Sequence, residues 1–285
     1  MILVKTRKDL QEILKKQIEI NKTIGFVPTM GALHEGHISL IKKSLSRTDY
    51  TACSIFVNPT QFNNKLDFEK YPSSIENDIL LLEKAGCNVL FLPSVNEIYP
   101  LNNDLPKTYN LGFIESILEG EYRPGHFQGV CQVVHRLLSA VSCNFLFLGQ
   151  KDYQQCMVLK KMIELTKFKC EIIIAETIRS EQGLALSSRN LRIPESKKEN
   201  ALGIYKTLQF VKENFKKEPF DLIINRSKEM LFEFGFSKVD YVAICNTSNL
   251  ETEKEYNPNI EYVCLIATFL DDIRLIDNLI LKDIS

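Results

Sequence analysis

Two of the chain's four histidines stand three residues apart, in Gly25-Phe26-Val27-Pro28-Thr29-Met30-Gly31-Ala32-Leu33-His34-Glu35-Gly36-His37. An apolar run over 23–27 precedes the loop. A helical pattern follows it, with Ile38, Ile41 and Leu45 at i, i+3 and i+7. The histidines therefore lie where a strand gives way to a helix. The unpaired N–H groups and positive dipole end of a helix start suit a phosphate, and Gly31 and Gly36 let backbone approach closely. At helical spacing His34 and His37 share one face. Three readings stay open: a phosphate loop, a metal-binding pair, or incidental surface histidines. The arrangement is not His-Glu-x-x-His, and no third ligand stands nearby. Neither the Gly-x-x-x-x-Gly-Lys-Ser/Thr loop nor the Gly-x-Gly-x-x-Gly fingerprint occurs.

Other polar residues cluster after apolar runs. Gln61 and Gln155 carry amides that both donate and accept, and so can hold hydroxyls or a carboxylate without adding charge. Alone, each reads equally as a solvated surface residue. Lys151 and Asp152 follow the run 144–148 and read either as ligands of a bound group or as a surface ion pair. Ser187-Ser188-Arg189 offers two hydroxyls and a guanidinium suited to phosphate oxygens. It reads otherwise as a helix cap beside a solvated arginine.

The elements that must position these residues alternate. Strand-like runs occupy 23–27, 51–57, 88–92, 144–148 and 170–175, short and rich in Val, Ile, Leu and Phe, as buried parallel strands are. Helical patterns separate them, among them one with Val130, Val133, Val134, Leu137, Leu138 and Val141 on one face and another over 156–165. Ser73-Ser74-Ile75-Glu76 predicts a capping box for a helix that Gly86 ends. Such alternation predicts an α/β fold, a Rossmann-like doubly wound parallel sheet over 1–175. The later runs 239–245, 262–268 and 273–279 predict a smaller C-terminal α+β domain over 176–285.

The string His34-Glu35-Gly36-His37 resembles the His-x-Gly-His signature of the nucleotidyltransferase superfamily. The longer string from Pro28 to His37 is far narrower and resembles the pantothenate synthetase family. Four further segments resemble that family in the same order: Phe56-Val57-Asn58-Pro59-Thr60-Gln61-Phe62, Tyr122-Arg123-Pro124-Gly125-His126-Phe127, Gly149-Gln150-Lys151-Asp152-Tyr153-Gln154-Gln155 and Gly183-Leu184-Ala185-Leu186-Ser187-Ser188-Arg189-Asn190. The resemblance implies that ATP activates pantoate as an acyl-adenylate, which β-alanine then captures. It implies an ATP site of Met30, Gly31, His34, His37, Gly149, Lys151, Asp152, Ile178, Leu186, Ser187, Ser188 and Arg189. Of these His34, His37, Lys151, Ser188 and Arg189 would be catalytic. Pro28, Gln61 and Gln155 would bind pantoate, with Phe62 and Val130 as apolar wall, and Arg123 would position a loop. Mg2+ would accompany ATP, with Asp78 a candidate ligand, and the protein would be a homodimer. One position departs from the family pattern: Gln150 stands where Gly-Glu-Lys-Asp is usual. Read as an extended segment, 149–152 turns Gln150 away from Lys151, so that Gln150 orients the loop while its neighbours contact ATP. Two rivals remain, an adenylyltransferase that keeps the nucleotide on its product and a nucleotide-binding module without turnover.

Composition sets the remaining bounds. The 285 residues allow two domains. A formal net charge of −1 gives no global field towards nucleic acid or an acidic membrane. No apolar stretch is long enough to span a bilayer, and Met1-Ile2-Leu3-Val4-Lys5 is too soon charged for a signal peptide. Eight cysteines without a Cys-x-x-Cys pair read as buried reduced thiols, and hence as a cytoplasmic protein.

Overall fold

The computed structural model describes residues 1–62, 68–69, 71–72, 74–100 and 108–282. The chain divides into two compact units. The first comprises Met1–Gln150 and Gln155–Glu176, the second Lys151–Gln154 and Thr177–Ser285.

The first unit is built on six parallel strands: β1 (Ile2–Val4), β2 (Ile24–Thr29), β3 (Tyr50–Ile55), β4 (Val89–Phe91), β5 (Phe145–Gly149) and β6 (Glu171–Ala175). Their order in the sheet is β1-β4-β3-β2-β5-β6. Successive residues of a strand point to opposite faces, and the core records this directly. Phe26, Ala52, Val89, Phe91, Leu146 and Leu148 pack into one apolar cluster, while Val27, Cys53, Leu90 and Phe147 pack into another. Helices Arg7–Glu19 and His126–Val141 contribute to the first cluster, and Glu35–Arg47 and Ile75–Ala85 to the second. Burial on both faces is why the strands read as continuous apolar runs. The five expected strands are present. The sixth, β1, was not expected: it is three residues long, and Ile2 and Leu3 are exposed on an edge strand.

The order of the strands decides where a ligand binds. From β2 the chain moves outward to β3 and β4, then crosses to the other side of β2 for β5 and β6. Beyond the carboxyl ends of β2 and β5, which pair through Gly25–Phe145 and Phe26–Leu146, the connections diverge. Open α/β sheets bind ligands in such a crevice. The histidine loop leaves β2, and Gly149 ends β5.

The second unit has an antiparallel sheet of β7 (Lys238–Asn246), β8 (Tyr262–Leu270) and β9 (Ile273–Leu281), in that order. Tyr262, Cys264 and Ile266 alternate along β8 into a core shared with Ile204 and Leu208 of helix Gly203–Asn214 and Phe220 and Leu231 of helix Phe220–Glu233. The four residues Lys151–Gln154 begin one residue after β5 yet belong to this unit. Asn278 Nδ2 donates to the Lys151 carbonyl (2.8 Å), and Tyr153 Oη donates to the Thr247 carbonyl (2.9 Å). None of the eight cysteines is in a disulfide, and all but Cys170 are buried. Burial pushes the Cys53 and Cys264 thiols well above their ordinary range.

Two local expectations are corrected. Ser73 lies outside the described residues, and Ser74, at the N-cap of helix Ile75–Ala85, makes no capping bond; its hydroxyl donates to Asp78 Oδ1 instead (3.0 Å). Gly86 ends that helix with φ +85°, as expected. Gln150–Asp152 is a turn of 3-10 helix, not an extended segment. Successive side chains there are about a third of a turn apart, so the alternation that would set Gln150 opposite Lys151 does not apply.

Candidate functional site

The histidine loop is held by a carboxylate from another helix. Gly31 (φ +83°) and Ala32 (φ +48°) both adopt left-handed backbone, a conformation that disfavours a residue with a Cβ such as Ala32. Asp78, in the first turn of helix Ile75–Ala85, is wholly buried. Its Oδ2 accepts from Ala32 N–H and its Oδ1 from Leu33 N–H, each at 2.8 Å. With Ser74 also donating, both oxygens are engaged by the protein. Asp78 is thus not a solvated surface residue but a buried acceptor for the loop's backbone. Among the described residues no three side chains of metal-ligating type converge.

Helix Glu35–Arg47 begins at the histidines, and they cap it. Gly36 N–H donates to His34 Nδ1 (3.2 Å), and His34 N–H donates to His37 Nδ1 (3.3 Å). The two rings lie 4.1 Å apart, centroid to centroid. An imidazole nitrogen that accepts a backbone N–H carries no proton, so this pattern puts the proton of each neutral ring on Nε2. Both histidines are therefore donors at Nε2, on the first turn of a helix whose dipole already favours an anion.

Gln61 is fixed on both its backbone and its side chain. Its carbonyl accepts from His126 Nδ1 (2.9 Å) and from Arg123 (3.4 Å), and Arg123 pairs with Glu119 (3.4 Å). Its Nε2 reaches Met30 Sδ (2.8 Å), and its Oε1 accepts from Asn58 Nδ2 (3.2 Å). Asn58 is buried, donates also to the Gly129 carbonyl (3.3 Å) and accepts from Tyr99 Oη (3.0 Å). Met30 and Gln61 are thus brought together. Pro28 lies in β2, Gly149 ends β5, and Gln155 stands in the first turn of helix Tyr153–Thr166. Phe62 packs edge-on against Phe68 and Tyr71, and Val130 is buried on helix His126–Val141.

Gly129 makes this arrangement possible. A Cβ there would stand 2.6 Å from the Thr60 carbonyl oxygen and 3.1 Å from Gln61 Cα. Backbone atoms cannot swing aside as a side-chain tip can. Gly129→Ala is therefore expected to push the 59–61 turn away and to destabilise the chain by about 1–3 kcal/mol, the usual range for overpacking. Urea unfolding measures this, and an unchanged midpoint would mean that the turn yields freely.

The second unit gathers the other residues singled out in the sequence. Ile178 and Leu186 face each other across a narrow hairpin, where Leu186 N–H donates to the Ile178 carbonyl (2.9 Å) and Arg179 bridges Ala185. The hairpin is anchored by Arg179, which forms a two-pronged ion pair with buried Asp277, donates to the Gly183 and Asn278 carbonyls, and lies over the Tyr205 ring at 4.5 Å. Burial raises the Asp277 carboxyl above its ordinary range, against the pull of Arg179. After the hairpin, Ser187 caps the turn Ser188–Arg192 through Arg189 N–H (3.3 Å), and Ser188 is buried. Lys151, Ser187, Arg189, Asn190, Arg274 and Asp277 are among the residues lining one open cleft. Asp152 is exposed outside that lining. The motifs did not indicate Tyr99 or Arg274, which bond Asn58 and Asp240, partners distant in sequence, and no role was read for Asn58 within its motif.

A family model described as pantoate-beta-alanine ligase matches residues 2–280. The chain is 40% identical over 283 residues to the pantothenate synthetase of Cytophaga hutchinsonii, covering 99% of each. It is 39% identical over 289 residues to that of Bacteroides fragilis, covering 99% of this chain and 100% of the relative. Among solved structures, pantothenate synthetase from Thermus thermophilus matches with TM-score 0.91 at 33% identity, over 99% of this chain and 100% of that one. Pantoate-beta-alanine ligase from Francisella tularensis, complexed with beta-gamma ATP and beta-alanine, matches with TM-score 0.82 at 37% identity, over 99% and 98%.

Proposed function

Because the chain belongs to the pantoate-β-alanine ligase family, we propose that it joins pantoate to β-alanine using ATP, through a pantoyl-adenylate. A pantoate carboxylate oxygen attacks the α-phosphorus in line, the bond to the β-phosphate breaks, and pyrophosphate leaves. The β-alanine amine then attacks the acyl carbon. The acyl–oxygen bond breaks, AMP departs and the amine loses a proton. A free carboxylate is a poor acyl donor, whereas its mixed anhydride with AMP has a good leaving group. No residue needs to bond covalently to substrate; the protein aligns reactants and stabilises charge. The observation that carries this reading is the pair of Nε2–H donors at the helix start, fixed by the bonds at Nδ1. They donate to phosphate oxygens as charge grows on them. Lys151, Ser187, Ser188 and Arg189 supply cations and hydroxyls for the departing pyrophosphate, and Met30, Gly31, Gly149, Asp152, Ile178 and Leu186 complete the nucleotide contacts. Mg2+ bound with ATP would neutralise charge on the phosphates, while Asp78 holds the histidine loop through its two amide bonds. Among the described residues no helix is long and apolar enough to cross a membrane. A cytoplasmic homodimer is the assembly we propose, on family resemblance.

Gln61, with Gln155 and Pro28, reads pantoate. ATP–pyrophosphate exchange tests the whole scheme: it should require pantoate and proceed without β-alanine. Exchange driven by β-alanine alone would refute the scheme, and a product that retains the nucleotide would favour an adenylyltransferase. Gln61→Ala should raise the KM for pantoate by about tenfold or more, in line with about 1–3 kcal/mol for hydrogen-bond partners left unpaired, and leave that for ATP nearly unchanged. Equal losses for both substrates would mean that Gln61 shapes the loop rather than reading pantoate.

A further inference from the structure

The pairing of β7 with β8 is regular at both ends, Lys238–Phe269 and Val239–Thr268 on one side and Tyr241–Ala267 to Asn246–Tyr262 on the other. It breaks at Asp240, where the register shifts between Val239 and Tyr241. One extra residue in a strand is a β-bulge, and bulges commonly re-aim a side chain beside a functional site. Here the re-aimed side chain is a carboxylate only 2% exposed. It accepts from Arg274 Nε on Oδ2 (2.8 Å) and pairs with Lys238 through Oδ1 (2.7 Å). Arg274 comes from β9, two strands away, opposite Phe269 in the register. The Asp240 bond fixes the plane of its guanidinium. Arg274 in turn lines the same pocket as Lys151, Ser187 and Arg189.

We propose that Arg274 is a further phosphate-binding residue of the nucleotide site, aimed by Asp240 at the bulge, and that its ligand is the pyrophosphate portion of ATP. This rests on the proposed use of ATP. Three cations lining one pocket, one of them aimed by a buried carboxylate, match the charge and flat oxygen faces of a pyrophosphate. An ion pair that merely closed the bulge would not need its arginine to line the same pocket as Lys151 and Arg189.

The test uses the full chain and two readouts: calorimetric titration with inorganic pyrophosphate and Mg2+, and KM values for ATP and pantoate in the exchange reaction. Arg274→Gln should weaken pyrophosphate binding and raise the KM for ATP by about tenfold, with the pantoate KM within about twofold of wild type. Arg274→Lys keeps a cation for Asp240 but lacks the planar fork, and should recover only part of the loss. It carries the test if the glutamine variant fails a thermal-melt check of folding. Asp240→Asn should shift the same two quantities less, because the guanidinium stays but loses its fixed aim. Pyrophosphate and ATP affinities unchanged in both Arg274 variants, beside an active wild type, would overturn the proposal alone. A wild-type chain without pantoate-dependent exchange would overturn the functional reading instead.

Discussion

Replacing His34 or His37 by alanine is expected to slow pantoate-dependent ATP–pyrophosphate exchange by about a hundredfold or more, the scale of losing a preorganised donor to a developing charge. The capping bonds complicate this variant, because each histidine also accepts a backbone N–H at the start of helix Glu35–Arg47. Losing a cap destabilises by about 1 kcal/mol and could shift the loop. His34→Asn separates the two roles. Asparagine is a strong N-cap, and its side-chain oxygen falls near the position of Nδ1, so the helix start is preserved. Its amide does not reach as far as Nε2. If the donor matters, His34→Asn should melt close to wild type and still lose most of its exchange activity. If only the cap matters, His34→Asn should be nearly as active as wild type while His34→Ala is not. Exchange rates beside thermal melts distinguish the cases. Pantoyl-adenylate supplied directly should restore much of the second step, because the proposed donors serve the first.

How much of this was legible in the sequence follows from how local each feature is. The histidine loop was readable because strand end, glycines and helix start lie within thirteen residues, from Gly25 to His37. Five strands were readable because burial on both faces makes them continuous apolar runs; β1 was not, because three residues on an exposed edge leave no pattern. Lys151 is visible as a residue, but not the unit it packs with, since that depends on the Asn278 side chain 127 positions away. Gln150 reads as extended from sequence because a 3-10 turn of three residues has no periodicity to detect. In such a turn its side chain need not face away from Lys151, and the reason for its tolerance in place of glutamate is open to mutation rather than settled by alternation. Asp240 and Arg274 were invisible because a bulge is a property of two strands in register. The cap at the histidines was hidden for another reason: histidine is not among the usual capping residues, so no capping signature marks the start of helix Glu35–Arg47.

Asp78→Ala should both destabilise the protein and nearly abolish adenylate formation, although Asp78 touches no substrate in the proposed reaction. Its carboxylate accepts the N–H groups of Ala32 and Leu33, immediately before His34. Hydrogen bonds to a charged group contribute about 1.5–3 kcal/mol each, and both of these would be lost. Ala32 adds to the loss. Its left-handed backbone is disfavoured by about 1–2 kcal/mol, and the bond to the carboxylate helps hold it there. The loop would then carry the histidines out of position, and a displacement of about 1 Å can slow a reaction by about a hundredfold. Asp78→Asn should fall between wild type and alanine. Its amide oxygen can still accept from one N–H, while its amide nitrogen, a donor, faces the other. Urea unfolding gives the stability change, and exchange kinetics give the rate. Magnesium provides the decisive comparison. If Asp78 held the metal, the asparagine variant would show a raised Mg2+ requirement, and added Mg2+ would restore its rate. If Asp78 pins the loop, the rate deficit should persist at every Mg2+ concentration and track the loss of stability. Full rescue by Mg2+, or an alanine variant within a few-fold of wild-type activity, would remove Asp78 from the role that its two amide bonds give it.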